Sequence, residues 1–213
     1  MSQTMEDVRK RNALMASTYI PDCSKGPGAF YNIGVGPLIK SEWRHWKELY
    51  PEMQLFGCEP NPVLYSQLLM KFPGRLFSCG ISDKESIEMY MEPEKEKTFG
   101  RSSIFPVNGL SDKTIRVECI TLNEFDQEVG SLESILLWMD IEGSELIALK
   151  SGEELLKSGR VHTINLELRD KPEIEGWPTA TEITEYLSTI GFKKAVDYNN
   201  QVSHWDTIFT KVK

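Results

Sequence analysis

The segment 134–152, SILLWMDIEGSELIALKSG, constrains the fold more than any other part of the chain. Its residues 135–139 form an unbroken apolar run, which is typical of a parallel strand buried on both faces of a sheet. Ser144 can then cap a helix through residues 146–149, so the segment predicts a strand, a tight loop and a helix. The loop contains three carboxylates, namely Asp140, Glu142 and Glu145. Because open α/β sheets bind ligands beyond the carboxyl ends of their strands, this acidic loop is either a ligand site or a solvated turn.

The same alternation of strand and helix patterns continues on both sides of this segment. Apolar runs predict further strands at 29–33, 53–58, 75–80 and 162–170, and other patterns predict helices at 41–49, 63–71 and 180–190. Two terminal segments, 193–198 and 206–212, predict an antiparallel hairpin. Alternating strands and helices with buried strands in the middle imply an α/β fold with a doubly wound sheet.

Residues 86–113 break this pattern. Residues 86–92, SIEMYME, alternate apolar and polar side chains, which predicts a half-exposed strand at an edge of the sheet. Residues 92–113 are charged and contain Pro and Gly, so we expect either a mobile loop that closes over a substrate or a disordered surface loop. In the first case Arg101 and Ser103 are the expected contacts.

Length and charge limit the classes of protein that this chain can be. With 213 residues and 40% hydrophobic side chains, it suits one domain, residues 28–213, preceded by an N-terminal helical extension and linker at residues 1–27. The net charge of −8 argues against nucleic acid as a partner and favours a small molecule or a neutral glycan. We find no apolar run of the roughly 20 residues that a membrane span needs, and no signal peptide, so we expect a cytoplasmic protein without a membrane partner.

The cysteines favour a reduced protein. Cys23, Cys58, Cys79 and Cys119 are far apart in the sequence and form no CxxC pair. Three of them lie in apolar, strand-like runs. We therefore expect buried free thiols rather than a disulfide or a zinc site.

Residues at the ends of the first two strands indicate a cofactor that contains adenosine. Gly34 and Gly36 let the backbone approach a ligand closely, and Glu59 follows the second strand, where an acid accepts hydrogen bonds from ribose hydroxyls. A dinucleotide site would need GxGxxG, but the sequence GVGPLIKS lacks the third glycine and Pro37 removes an amide donor. S-Adenosylmethionine has no phosphate, so it suits this loop better than NAD does.

Several segments resemble the FkbM-type S-adenosylmethionine-dependent methyltransferases. They are FYNIGVGP with SEW, GCEPNP, SCGISDKES, VECITLNEF, LLWMDIEGSELIALKSGEELL and HTINLEL, and the resemblance runs from about Ala29 to Glu167. The resemblance implies a class I methyltransferase fold, which is Rossmann-like and has a doubly wound seven-stranded sheet with its last strand antiparallel. It also implies methyl transfer to a hydroxyl of a sugar, a polyketide or another small metabolite.

The resemblance also implies the cofactor contacts. These are Gly34 and Gly36 for the methionine part, Glu59 for the ribose, Ile81 and Ser82 for the adenine, and Asp140 for the amino acid moiety or the transferred methyl group. Asn32 departs from the family, whose first strand usually carries Asp at this position. An amide can still hydrogen-bond the ammonium group of the cofactor, but it lacks the negative charge that would attract that group.

Transfer to an alcohol oxygen needs a base for the hydroxyl proton, and the strand ends supply carboxylates. The candidates are Asp140, Glu142 and Glu167, because crowded carboxylates raise one another's pKa and make one of them a better proton acceptor. His45, His162 and His204 are expected to be structural or on the surface. The same acids could bind a divalent cation, which is the less favoured alternative, so we assign no metal ligands.

Two other functions fit the same residues. One is a non-catalytic module that keeps the cofactor pocket, which Asn32 weakly favours. The other is an NAD-dependent oxidoreductase, which would need pyrophosphate donors that GVGPLIK does not provide. We expect the residues that select the methyl acceptor at 92–113 and near Trp177.

Overall fold

The computed structural model describes residues 28–37, 43–92, 101–110, 112–171, 174–198 and 205–212. In chain order its elements are β1 (Ala29–Ile33), α1 (Trp43–Leu49), β2 (Gln54–Cys58), α2 (Pro62–Leu68), β3 (Arg75–Phe77), β4 (Gly80–Ile81), β5 (Ser86–Met91), β6 (Ser102–Ser103), β7 (Thr114–Ile120), α3 (Leu122–Val129), β8 (Ile135–Met139), α4 (Glu145–Ser151), α5 (Glu153–Lys157), β9 (Val161–Leu168), α6 (Ala180–Thr189), β10 (Phe192–Tyr198) and β11 (Trp205–Lys211). The helical extension expected in residues 1–27 lies outside the described residues.

The main sheet has seven strands in the order β3-β2-β1-β8-β9-β11-β10. The apolar strand β8 lies between β1 and β9, parallel to both, and every residue of β1 and β8 is buried. β11 runs antiparallel to β9 and to β10. This arrangement confirms the expected doubly wound seven-stranded sheet with an antiparallel last strand. The order reverses at β1, which places a crevice at the carboxyl ends of β1 and β8.

Apolar side chains cover both faces of this sheet. Tyr31 and Phe56 belong to a core cluster that also contains α3 side chains, whereas Phe30 and Trp138 pack with the α1 residue Trp46 on the opposite face. The alternation along β1 therefore sends successive side chains into two different cores. In the described part of the chain, no helix is both long and apolar enough to cross a bilayer.

The structure corrects the expected strand at 75–80, which is broken. β3 ends at Phe77, and β4 turns away to pair with β7 in a second sheet of order β4-β7-β5-β6. A side chain at Gly80 would approach the Cys119 sulfur to 2.9 Å, so glycine permits the close pairing of β4 with β7. The half-exposed strand expected at an edge of the main sheet is also placed differently: it is β5, between β7 and β6 of this second sheet.

Local signals set the ends of three helices. The Asn61 side chain accepts hydrogen bonds from the first amides of α2, and α3 and α6 each begin with a capping box, at Thr121 and Thr179. α2 ends at Leu68, three residues before the expected end at 71, and the expected cap Ser41 lies outside the described residues. Cys58, Cys79 and Cys119 are buried free thiols, and Cys23 is not among the described residues.

Candidate functional site

A cleft opens at the carboxyl ends of β1, β2 and β8. Most of the residues expected in the site line it, namely Gly34, Gly36, Glu59, Ile81, Asp140 and Glu142. Asn32 and Ser82 are both buried and lie immediately beside lining residues, at 1% and 4% exposure. The two loops that the sequence singled out therefore line one cleft.

The second sheet supplies a wall of this cleft, of which the sequence had indicated only Ser103. Ile87 and Met89 of β5 line it, as do Ser103 of β6 and Ile104. Their alternate spacing in β5 is a sequence signal, because residues at i and i+2 of a strand share a face. That signal could not show which ligand or sheet the face would meet, since β5 pairs along most of its length with β7, whose residues lie more than twenty positions away.

The two glycines of the first loop have different roles. Gly34 has a φ of +79°, and a side chain there would lie 2.1 Å from the backbone oxygen of Asp140, so Gly34 is needed for the first loop to pack against the acidic loop. Gly36 has a φ of +66°, and a side chain there would meet no atom within 4 Å. Its amide donates to Oε2 of Glu59 at 2.9 Å. Gly36 is thus the glycine that leaves open space on the cleft side.

Glu59 ties the first loop to the start of α2. Its carboxylate accepts hydrogen bonds from the amides of Gly36 and Asn61, both at 2.9 Å, and the residue is 4% exposed. Burial raises the pKa of Glu59 to about 7, the two amides oppose this shift, and the negative charge of Asp140 adds to it. Glu59 therefore titrates near neutral pH and offers acceptor oxygens at the end of β2.

Glu145 shapes the acidic loop from within. Its carboxylate accepts hydrogen bonds from the amides of Ile141, at 3.1 Å, and Gly143, at 3.0 Å. Burial raises the pKa of Glu145 to about 8. Ser144 occupies the N-cap position of α4, but its side chain makes no capping hydrogen bond, so the expected capping role is wrong. The carboxylate of Glu145 already satisfies the amides of this turn, and it is directed into the loop rather than toward a ligand.

Glu142 lies at the tip of the same loop in an uncommon backbone conformation. Its φ is +50°, and Gly143 follows with a φ of +98°. A side chain at Gly143 would approach the Trp177 ring to 2.7 Å, so the loop packs its backbone against that ring. The strained conformation is held by its surroundings, as is common for residues at functional sites.

Arg169 is the charged residue of this region that sequence reasoning missed. Its guanidinium pairs with Glu142 at 3.1 Å and also with Glu167, and all three side chains are less than 20% exposed. Burial disfavours the charged form, but Glu142, Glu167 and Asp140 together raise the pKa of Arg169. Because Arg169 follows Glu167 by two positions, strand alternation could have placed both on one face. The acids are therefore crowded around a cation rather than only around one another.

Glu167 does not line the main cleft but lies beside it. It lines a smaller adjoining pocket together with Asp140, Glu142, Arg169 and Trp177. Asp140 and Glu142 line both spaces. The indole Nε1–H of Trp177 donates to the backbone oxygen of Arg169 at 3.0 Å, which fixes this aromatic side chain as a wall of the pocket. Of the three candidate bases, Asp140 and Glu142 thus reach the main cleft directly.

The described part of the expected substrate loop, residues 101–110, packs onto the acidic loop. The Ser103 hydroxyl donates to the backbone oxygen of Glu142 at 2.7 Å, and the ring centroids of Phe105 and Trp177 are 5.3 Å apart. Arg101 is instead paired at 3.2 Å with Glu92, which is 3% exposed. Ser103 therefore reaches the site, whereas the guanidinium of Arg101 anchors the loop.

The positions of the histidines and the grouping of possible metal ligands bear on the other chemistry considered for this site. His162 lies near the start of β9, at the opposite end of the strand from Glu167. The side chain of His45 and the whole of His204 fall outside the described residues. Among the residues that the structure describes, no three His, Cys, Asp or Glu side chains are grouped to hold a metal ion. Arg169 brings a positive charge between Glu142 and Glu167, where a cation would otherwise be favoured.

Comparison with known proteins identifies the family. A family model described as the methyltransferase FkbM domain matches residues 32–194. The chain belongs to the FkbM methyltransferase family. A curated relative, the 2-O-methyltransferase NoeI of Sinorhizobium fredii (strain NBRC 101917 / NGR234), is 33% identical over 161 residues. This match covers 68% of the chain and 65% of that relative, so the chain spans just under two thirds of NoeI.

Solved structures show the same fold. The methyltransferase FkbM of Methylobacillus flagellatus KT is 12% identical, with a TM-score of 0.54 over 93% of this chain and 50% of that chain. The precorrin-6y C5,15-methyltransferase of Geobacter metallireducens GS-15 is 11% identical, with a TM-score of 0.51 over 100% of this chain and 94% of that one. The class I methyltransferase fold expected from the sequence is confirmed, and so is the resemblance to the FkbM family.

Proposed function

We propose that this protein transfers a methyl group from S-adenosylmethionine to a hydroxyl of a small molecule or a sugar. The observation that carries the proposal is the pairing of Gly36 with Glu59 at the mouth of β1 and β2, in a chain of the FkbM family. NoeI, a 2-O-methyltransferase, supports oxygen as the accepting atom. Three buried free thiols suit the reducing conditions of the cytoplasm, which is where we place the protein.

The lining of the cleft suits the parts of S-adenosylmethionine. The acceptor oxygens of Glu59 suit two ribose hydroxyls, and the apolar side chains of Ile81, Ile87 and Met89 suit the faces of an adenine ring. The open space at Gly36 leaves room for the methionine part beside Asn32 and Asp140. Ser82 follows Ile81 and its hydroxyl lies 3.3 Å from Asp83, so it supports the adenine side of the cleft.

The chain's own residues would position the acceptor and remove its proton. S-Adenosylmethionine supplies an electrophilic methyl group, and alignment of the acceptor oxygen with that group accounts for much of the acceleration. We assign acceptance of the hydroxyl proton to Asp140 or Glu142, and the support for this is that both line the main cleft and the adjoining pocket. Glu167 would act through Arg169, whose guanidinium holds it beside Glu142.

Two alternatives predict different ligands. A dinucleotide would need several amide donors at the first loop, but the amide of Gly36 is directed at Glu59 and Pro37 has none. A non-catalytic module would bind the cofactor without turnover. The buried carboxylates around Arg169 favour an enzyme, because carboxylates in a cleft are the residues that proton transfer needs.

Titration calorimetry of the full chain with S-adenosylhomocysteine and, separately, with NAD tests the cofactor. We expect micromolar binding of S-adenosylhomocysteine alone, and binding of NAD alone would overturn the proposal. An acceptor screen with sugars and hydroxylated metabolites then tests turnover. In that screen Glu142→Gln should lower kcat with little change in cofactor affinity, and Asp140→Asn should show whether Asp140 carries the base instead. Cofactor binding without turnover on any acceptor would favour the non-catalytic module.

A further inference from the structure

Two thiols lie together in the wall of the cleft, where nothing in the proposed reaction uses them. The sulfur atoms of Cys58 and Cys79 are 3.9 Å apart. Cys58 ends β2 directly before Glu59, and Cys79 directly precedes β4 with Gly80 and Ile81. Both cysteines line the cleft, at 1% and 9% exposure. The pair thus joins the two strand ends that carry the ribose and adenine contacts of the proposed cofactor site.

The two thiols are chemically unequal. Burial raises the pKa of Cys58. The pKa of Cys79 is instead lowered, because Cys79 is hydrogen-bonded to Cys58. Cys79 is also the more exposed of the two. Because the thiolate is the nucleophile, Cys79 is the residue that reacts first with an oxidant small enough to enter the cleft. Cys119, nearby, has its pKa raised to about 11 by burial and does not line the cleft.

We propose that hydroperoxides convert Cys58 and Cys79 into a reversible disulfide, and that this disulfide and an adenosyl cofactor exclude each other from the cleft. The Cys79 thiolate attacks the peroxide, the O–O bond breaks, and Cys79 becomes a sulfenic acid while the other oxygen leaves as water or alcohol. The Cys58 sulfur then attacks the sulfenic sulfur and displaces water. Two thiols and one hydroperoxide give one disulfide, one water and one water or alcohol, and a dithiol reductant reverses the change.

The exclusion follows from position. A disulfide requires a sulfur separation of about 2.05 Å, so the two sulfur atoms must leave their present separation of 3.9 Å, and the Cys58 and Cys79 side chains that line the cleft must change position. Glu59 directly follows Cys58, and Ile81 lies two positions after Cys79, so this change occurs between the residues assigned to the ribose and the adenine. Conversely, a bound cofactor covers Cys79 and keeps peroxide away from it. This second half of the proposal rests on the proposed function, whereas formation of the disulfide does not.

The first experiment uses the full chain without ligand, treated with hydrogen peroxide and mapped by peptide mass spectrometry. A mass loss of about 2 Da in a linked pair of peptides carrying Cys58 and Cys79, reversed by dithiothreitol, is the expected result. Cys119→Ser should form the same link, and Cys79→Ser should form none. A disulfide between other cysteines, or oxidation of Cys79 beyond the sulfenic state without a link, would overturn the assignment.

The second experiment measures the coupling. Calorimetry with S-adenosylhomocysteine should show an affinity at least about tenfold weaker for the oxidised chain, with recovery after reduction, and saturating ligand should slow formation of the disulfide. Equal affinities of the two forms would refute the coupling. If the reduced chain binds no S-adenosylhomocysteine, the proposed function fails and the coupling with it, whereas the mapped disulfide stands on its own result.

Discussion

The two sides of the cleft hold their carboxylates by different means. Glu59, at the end of β2, is held by the amides of Gly36 and Asn61, and burial raises its pKa to about 7. Glu142, in the acidic loop, is held by the guanidinium of Arg169, which it shares with Glu167. Backbone donors leave Glu59 able to change protonation and partners near neutral pH. Glu142 instead pairs with the planar guanidinium of Arg169, which fixes the position of its carboxylate.

Removing the cation should have the largest effect. Arg169→Met leaves Glu142 and Glu167, at 12% and 17% exposure, without their charged partner. We expect the free energy of unfolding at pH 7 to fall by about 3 to 5 kcal/mol, the usual result of breaking a buried ion pair. Arg169→Lys keeps the charge and should lose less. Chemical denaturation at pH 7 measures both.

A Met variant as stable as the wild type at pH 7 would mean that the acidic side does not depend on Arg169. The contrast between Glu59, held by backbone amides, and Glu142, held by a guanidinium, would then have no energetic basis. The Trp177 hydrogen bond goes to the backbone oxygen of Arg169, so either variant can keep it and the comparison isolates the guanidinium.

The glycines give the next largest effect and separate packing from ligand space. In Gly34→Ala the new methyl group lies 2.1 Å from the Asp140 backbone oxygen, at a positive φ, so the two loops must part. We expect a loss of stability of about 2 to 4 kcal/mol, from overpacking together with backbone strain. Gly36→Ala has similar strain but open space, and should lose only about 1 to 2 kcal/mol. Thermal and chemical unfolding of the two variants should differ in that order, and equal losses would contradict it.

The sequence predicted one side of the cleft better than the other for a physical reason. Glu59 and the glycines follow strand ends closely along the chain, so strand assignment alone placed them at one edge of the sheet. Arg169 and Ser103 reach Glu142 through pairings between distant segments, and no local pattern determines which segments pair. The break between β3 and β4 was missed for the same reason, because Gly80 is needed for contact with β7, far along the chain.

The protonation of Glu59 should make cofactor affinity depend on pH. Its pKa is raised, so below about pH 7 the free protein holds a neutral Glu59, and its ionised form, which accepts hydrogen bonds best, appears as the pH rises. The folded protein holds this proton more tightly than the unfolded chain does. The contribution of Glu59 to the free energy of unfolding is therefore full below the ordinary carboxyl pKa and is lost as the pH rises toward 7. Affinity for S-adenosylhomocysteine should therefore increase roughly tenfold between pH 6 and pH 8.

The matched variant for this test is Glu59→Gln. Its affinity should be weaker by roughly 10- to 150-fold at pH 8, corresponding to about 1.5 to 3 kcal/mol for charged hydrogen bonds, and nearly independent of pH. Glu145, with a pKa of about 8, stays intact in this variant. A slope that persists in Glu59→Gln would assign the pH dependence to Glu145 and remove Glu59 from the ribose site.

The smallest effect tests how the second sheet supports the acidic side. Ser103 donates to the Glu142 backbone oxygen at 2.7 Å and accepts from the Phe105 amide at 3.1 Å, and it is 2% exposed. Ser103→Ala should lower the free energy of unfolding by about 1 to 2 kcal/mol, because two buried backbone groups lose a partner. The neighbouring residue Ser102 provides the control. Within the part of the chain that the structure describes, its hydroxyl donates to the Met91 sulfur at 3.7 Å, which is a weak interaction, so Ser102→Ala should change the free energy of unfolding by less than about 0.5 kcal/mol. Equal effects in chemical denaturation would show that Ser103 does not hold the backbone of Glu142, and Arg169 alone would then account for the position of that carboxylate.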